Sequence, residues 1–338
     1  MKSEDLISNK NTKNGEKDEE SNISGLVLFK SRASKPTQKE ITTYENVDQE
    51  NKISLGHKLY PFAGSYLFSI LITNRSSAPI TEVKIKVKYP DFLYVSRYTP
   101  AIFESEYVKL EDDSLKQINI EFDQLAENSK KQINLYFKPI NLDIEGEITL
   151  FSSFVNSKDY VRVLNAEPVN IHAQSISAIE PKIVPSYAIE KFYNNSEVKK
   201  ASRSFGVDAH ENLDLYFNYI TQILEAHHFQ LITQDKERRI AWFFGKELDA
   251  DEDILAIGRI VSNKIEFLVA SQNPDILVSL LTNLTNALKK RLMSTGIIDS
   301  VDQVYELECY NCGSILPHFP EKGVPVECTK CNEHNLIW

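Results

Sequence analysis

Ser65-Tyr-Leu-Phe-Ser-Ile-Leu-Ile-Thr-Asn-Arg-Ser-Ser-Ala-Pro-Ile-Thr-Glu-Val-Lys-Ile-Lys-Val-Lys-Tyr-Pro90 reads as two strands and the turn between them. Residues 66–73 are nearly all apolar or β-branched, the pattern of a buried strand. Asn74 to Pro79 has turn composition. From Ile80 the pattern switches to an alternation of apolar and charged residues. Val83, Ile85, Val87 and Tyr89 fall on one face and Lys84, Lys86 and Lys88 on the other, as a pleated strand with one wet face requires. The lysine row is read as a solvated face.

Further strand candidates follow at 117–122, 131–138, 145–151, 160–164 and 169–173. Seven or so short strands with polar turns and no helical period predict an immunoglobulin-like antiparallel β-sandwich over 57–178. Upstream, residues 1–24 are polar and have too little apolar surface to offset the entropy of ordering, so they read as a disordered tail. Residues 25–56 read as a lead-in, whose apolar run Gly25 to Phe29 could add an edge strand or dock on a partner.

The pattern changes after Pro181 and Pro185. Asp208 with Glu211 has capping-box spacing. Leu213, Tyr216, Phe217, Ile220, Ile223 and Leu224 then form a stripe of helical period. Residues 239–245 read as a strand. Residues 254–261 and 264–270 read as a hairpin turning at Ser262-Asn263. Asn273-Pro274 is a cap with proline at the first helical position. It opens a leucine-striped helix through Leu292, whose last turn carries Lys289, Lys290 and Arg291. This predicts a small α+β domain over 185–297: helix, about three antiparallel strands, helix.

All four cysteines lie near the C-terminus. Cys309-Tyr-Asn-Cys312 and Cys328-Thr-Lys-Cys331 have the spacing of a zinc ribbon, here placed at 303–338. Each two-residue gap lets one tight turn aim two thiolates at one ion, and Gly313 sits where such a turn needs positive φ. Four thiolates leave no open coordination position, so a single zinc here is expected to be structural. His318 and His334 are read as spectators.

Composition narrows function. The 338 residues carry 48 acidic and 38 basic side chains, a net charge of −10. That balance disfavours coating nucleic acid or an anionic membrane. No stretch reads as a membrane span, and the first twenty residues lack a signal-peptide core, so a cytoplasmic setting is expected. The chain shows no glycine-rich phosphate loop, no Ser-His-Asp arrangement and no spare cysteine nucleophile, so an enzyme is not expected. His227-His228 point about 100° apart on a helix and do not chelate. The acidic stretch 247–253 lacks the glycine and terminal glutamate of a calcium loop.

The order of sandwich and then small α+β domain resembles the appendage, or ear, of clathrin adaptors and coatomer. The residues that carry it are Ser65–Pro90, similar to that family's paired opening strands, and 254–292, where a hairpin runs into a leucine-striped helix as at the end of its platform subdomain. The resemblance spans roughly 57–293. It implies a non-enzymatic module that recognises short peptide motifs in vesicle-mediated transport, with Phe192 and Tyr193 near the place of the family's aromatic groove. The leading expectation is therefore a protein-binding adaptor or scaffold with peripheral membrane association through partners, no small-molecule substrate and no nucleic acid. The alternative is a transcription or RNA-processing factor that uses the zinc ribbon.

Overall fold

The computed structural model describes residues 52–101, 104–109, 114–209 and 212–338. The tail read at 1–24, the apolar run 25–29 and most of the lead-in lie outside them, as does Glu211. No helix among the described residues is long and apolar enough to cross a membrane. The fold is mostly antiparallel sheet with a C-terminal cluster of four cysteines.

The first ten strands are β1 (Ile53–Phe62), β2 (Ser65–Asn74), β3 (Ile80–Pro90), β4 (Leu93–Thr99), β5 (Glu104–Lys109), β6 (Leu115–Leu125), β7 (Ser129–Pro139), β8 (Ile144–Val155), β9 (Val161–Asn165) and β10 (Val169–Ala173). They form two sheets. One has the order β1-β2-β7-β4; the other runs β10-β8-β3-β6-β5, with β9 also on β8. Their inner faces share one core. Ile70, Leu135 and Phe137 of the first sheet pack with Val83, Ile85, Val87, Ile118 and Ile120 of the second, all fully buried. The Tyr89 and Phe137 rings meet across the gap at 5.0 Å. Each such side chain contributes about 1.5–3 kcal/mol through burial. The alternation read at 83–89 is thus the pleat itself, with Lys84 and Lys86 exposed and Lys84 paired to Glu121 at 3.3 Å.

Buried Asn74 ties the turns together. Its Nδ2 donates to Ala78 O (2.9 Å) and Ala126 O (3.0 Å), while its Oδ1 accepts from Ser76 N (2.9 Å). The β2–β3 turn is therefore pinned to the β6–β7 turn by a polar group whose burial cost is met by hydrogen bonds. Strand β1 opens at Ile53, ahead of the boundary at 57. Gly56, His57 and Lys58 break its apolar pattern, and its ladder to β2 holds it in place. Strands β4 and β5 were likewise not expected; both sit at sheet ends.

The second half comprises β11 (Ile179–Pro181), α1 (Ser186–Asn194), β12 (Lys199–Val207), α2 (Leu213–Ala226), β13 (Gln230–Asp235), β14 (Ile240–Glu247), β15 (Glu252–Val261), β16 (Lys264–Ser271), α3 (Pro274–Ser294), a 3₁₀ turn (Val301–Gln303), β17 (Val304–Glu306), β18 (Val326–Glu327) and β19 (His334–Asn335). Seven strands make its sheet, in the order β11-β14-β15-β16-β12-β17 with β13 also on β14. Helices α2 and α3 cover one face through Ile220, Leu224, Leu281 and Leu284, packed on Phe243, Ala256 and Phe267. Helix α1 covers part of the other, where Ile189 joins Phe244, Leu255 and Ile257. The short β18–β19 pair stands apart.

Three expectations need correction. The domain is not helix, three strands, helix: α1, β12 and β13 add to it. Strand β12, Lys-Lys-Ala-Ser-Arg-Ser-Phe-Gly-Val, has weak strand propensity and is fixed by pairing with β16. The α2 cap is Asn212, whose Oδ1 accepts from Asp214 N at 2.9 Å; the Asp208 N–H instead donates to Gln303 O at 2.9 Å. Helix α3 also runs past Arg291 to Ser294. The hairpin turn at Ser262 and Asn263 is as read, with φ of 51° and 61°, and Asn273 caps α3 by accepting from Asp275 N.

Candidate metal centre

Two similar backbone turns build the cysteine site. In the first, Gly313 N–H donates to Cys309 O at 2.8 Å; in the second, Asn332 N–H donates to Cys328 O at 2.9 Å. Each closing residue stands four after the first cysteine of its pair and has positive φ, 72° at Gly313 and 58° at Asn332. Asparagine is among the few side chains that accept this conformation, so it replaces glycine in the second turn. The sequence reading found Gly313 and missed Asn332, although the same offset marks both. A third tie crosses between the turns: Tyr310 N–H donates to buried Asn335 Oδ1 at 3.0 Å.

The four Sγ atoms all lie within 4.8 Å of one another, with Cys309 to Cys331 at 3.6 Å and Cys312 to Cys328 at 3.5 Å. Tetrahedral coordination at a metal–sulfur distance of about 2.3 Å requires sulfurs roughly 3.8 Å apart. Cys309, Cys312, Cys328 and Cys331 could therefore hold one metal ion. No histidine joins the cluster among the described residues. Burial resists ionisation of Cys312, but hydrogen bonding to Ser314 outweighs it and brings its pKa down to about 6. Four thiolates this close repel one another, so complete ionisation needs a cation at the centre.

The site sits in its own small core of Leu307, Leu316 and Val326 beside buried Cys309 and Cys328. That core is fastened to the sheet next to it. Strand β17 extends the seven-stranded sheet by pairing with Phe205–Val207 of β12. Phe319 stacks on Trp338 at 4.9 Å and on Tyr305 at 5.9 Å. A Cβ on Gly206 would meet the Phe319 ring at 2.1 Å, so only glycine lets this aromatic stack lie against β12. Lys264 Nζ adds a bond to Leu316 O at 2.6 Å.

Charge fastens the same segment to the first sheet. The Lys138 side chain, on β7, is 4% exposed. It donates to Glu306 Oε2 at 2.8 Å and also to Glu308. Tyr94 OH donates to Glu306 Oε1 at 3.0 Å, and Arg97 Nε to Glu308 Oε1 at 3.2 Å. Burial works against charge on Glu306, but Lys138 and then Arg203 overcome it and hold its pKa near 2. Burial likewise opposes charge on Lys138, and the two glutamates hold its pKa above the usual lysine range. The Arg97 guanidinium lies 3.5 Å from the Tyr136 ring centre and covers Gly313, where a Cβ would come within 2.4 Å of Nε. Sequence gave no sign of this network, since its members stand some 170 to 210 positions apart.

Phe192 and Tyr193 lie on α1. Phe192 is half-buried with its ring edge on Phe244 at 5.3 Å, and Tyr193 carries Lys200 Nζ 3.8 Å above its ring. Earlier in the same segment, and not among the residues packed on that sheet face, Ile183 and Tyr187 are 84% and 74% exposed. His227 is the C-cap of α2 and His228 turns the chain at φ 62°. In the acidic stretch Glu247 is buried and accepts from Ser177 N and Ala250 N, while Lys182 pairs with Asp253 at 2.6 Å and Lys246 with Asp251.

No family model matches this chain, and no curated protein matches it. Among solved structures it is similar to the major pilin subunit BcpA of Bacillus cereus, at 9% identity and TM-score 0.28 over 62% of this chain and 59% of that one. It is similar at 9% identity and TM-score 0.20 to the sporulation control protein Spo0M of Bacillus subtilis, over 62% and 75% of the two chains. A GH20 exo-β-N-acetylglucosaminidase from Vibrio harveyi matches at 11% identity and TM-score 0.24, over 65% of this chain and 39% of that one. Likenesses of this size assign neither family nor activity.

Proposed function

We propose that the chain is a non-enzymatic adaptor or scaffold that binds short peptide motifs of protein partners, with one structural zinc at Cys309, Cys312, Cys328 and Cys331. An immunoglobulin-like reading of the paired sheets and a platform-like reading of the helix-covered sheet suit the appendages of vesicle coats, and with them cytoplasmic traffic. The observation that supports it is the surface around α1. Ile183, just before α1, and Tyr187, on its first turn, are largely exposed, while Phe192 and Tyr193 further along the helix turn toward the sheet and are half-buried, so one short segment offers exposed apolar groups on its outer side. Such groups give contact area at low entropic cost. Zinc suits a closed set of four thiolates, and its role is to fold the ribbon rather than to polarise a substrate. The alternative, nucleic-acid association through the ribbon, has less support: residues 305–338 carry five glutamates against Lys322 and Lys330.

The test is capture of partners by the full chain, compared with Ile183→Ala/Tyr187→Ala and with Phe192→Ala/Tyr193→Ala. The first pair leaves the fold intact and loses partners. The second also removes the Phe192–Phe244 contact, so its melting temperature is read alongside. Unchanged capture by both pairs counts against α1 as the partner surface.

A further inference from the structure

Strand β12 is covered differently along its two halves. Strand β17 pairs with Phe205–Val207, and Leu307 N–H donates to Ser204 O at 2.8 Å. Along Lys199–Arg203 no strand among the described residues continues on that side. Alternate residues of an antiparallel strand turn both backbone groups the same way. Because the Ser204 carbonyl faces the ribbon side, the N–H and C=O of Ser202 face it too. There they meet a cleft of about 430 Å³ between the β1-β2-β7-β4 sheet, the edge of β12 and the first cysteine turn.

The cleft's charges do not cancel. Lys138 and Arg97 are taken up by Glu306 and Glu308, and Arg259 by Glu266 at 2.7 Å. Arg203 acts on Glu306 from beyond ion-pair distance, while Lys200, with its Nζ 3.8 Å over the Tyr193 ring, has no carboxylate at ion-pair distance among the described residues, in a chain whose net charge is −10. Arg203 is 5% exposed. It donates only to neutral acceptors, Gly64 O at 3.1 Å, Thr285 Oγ1 at 3.3 Å and Thr282 Oγ1 at 3.4 Å, and its Nε has no partner. The Ser204 Oγ, 3% exposed, has none either. Both atoms are sealed from solvent, so the group on the cleft wall that a ligand would reach is exposed Lys200. Phe62, with its ring 6.3 Å from Tyr136, and Leu268 add an apolar side.

We propose that this cleft is a strand-addition site for an extended peptide segment that bears a carboxylate. The peptide backbone pairs with Ser202, its carboxylate meets exposed Lys200, and an adjacent apolar side chain lies on Phe62 and Leu268. An open strand edge supplies affinity through main-chain bonds, and flanking charge supplies selectivity. The assignment rests on the peptide-binding reading above and adds a second place, separate from the α1 surface, with its own chemistry.

The test uses the full chain on an array of random hexapeptides with glutamate fixed at the fourth position, beside the same array with lysine fixed there, and with inorganic phosphate as free competitor. Ser202→Pro removes the edge N–H at a position where an edge strand accepts proline, and Lys200→Glu reverses an exposed charge. The expected result is binding to the glutamate array alone, weakened about tenfold or more in each variant, with melting temperature and metal content unchanged. Should Ser202→Pro unfold, Lys200→Glu alone carries the comparison. If glutamate peptides bind but the variants bind them equally well, the cleft assignment is overturned and the peptide-binding reading stands. If neither array binds and phosphate alone raises the melting temperature, the cleft is a small-anion site, and both fail.

Discussion

Lys138 on β7 and Glu306 on β17 form an ion pair at 2.8 Å between chain segments 168 positions apart. The strand that carries Glu306 also extends the sheet of the α+β half, and two residues further on Glu308 leads into Cys309. A buried lysine of the first sheet thus depends for its counter-charges on the segment that leads into the cysteine turns.

Removing those counter-charges should cost more than removing the lysine. Glu306→Gln/Glu308→Gln leaves Lys138 buried and uncompensated, a loss of about 3–5 kcal/mol in urea unfolding. Lys138→Met leaves two partly exposed carboxylates and should cost about half of that. The triple variant should recover most of the double variant's loss, because a buried ion pair is replaced by neutral packing. If the three effects simply add, the charges do not act together.

The pH dependence follows from Glu306. Its pKa is near 2 in the folded chain against an ordinary value of 4.5. A depressed carboxyl contributes stability that is fully present above its unfolded pKa and is lost as pH falls through its folded pKa. Unfolding free energy should therefore drop between about pH 5 and pH 2. Glu306→Gln should flatten that drop, a comparison that urea titrations at stepped pH provide. Equal slopes in the two proteins would rule out Glu306 as the source.

Gly313→Ala and Gly323→Ala separate strain from crowding. Both glycines have positive φ, 72° and 78°, but a Cβ on Gly313 meets the Arg97 guanidinium whereas nothing lies within 4 Å of one on Gly323. Gly323→Ala should cost only the conformational strain, about 1–2 kcal/mol. Gly313→Ala should cost more and should also weaken metal retention during dialysis against a chelator. Equal losses would mean that Arg97 yields freely.

How legible this fold was depended on the range of the forces involved. Strand β3 was plain because Val83, Ile85 and Val87 alternate with lysines, and α3 because Asn273-Pro274 and the leucine stripe are local signals. The grouping of the four cysteines was legible, since two local turns bring them together. Strand β12 was not, because Ala201, Arg203 and Ser204 carry little strand propensity and owe their conformation to neighbours from β16 and β17. Nor could the Lys138 network or the contacts of buried Arg203 be read, since each joins residues from distant parts of the chain. Strand β1 was missed for the same reason: its pairing with β2, not its composition, makes it a strand.

Metal content gives an independent check. Freshly purified protein should contain one zinc per chain, and Cys309→Ser/Cys312→Ser should contain none, because two thiolates cannot complete a tetrahedral site. Elemental analysis that found no zinc in the parent protein would remove the metal from the account.

The most direct test is hydrogen exchange in β7, measured peptide by peptide with and without chelation. Strand β7 (Ser129–Pro139) lies about 170 residues before the first cysteine, and its link to the metal segment is Lys138 with Glu306 and Glu308. If the metal turns hold those counter-charges in place, chelation should speed exchange in β7 as well as in 305–338, and restored zinc should reverse both. Faster exchange confined to 305–338, with β7 unchanged, would contradict the account.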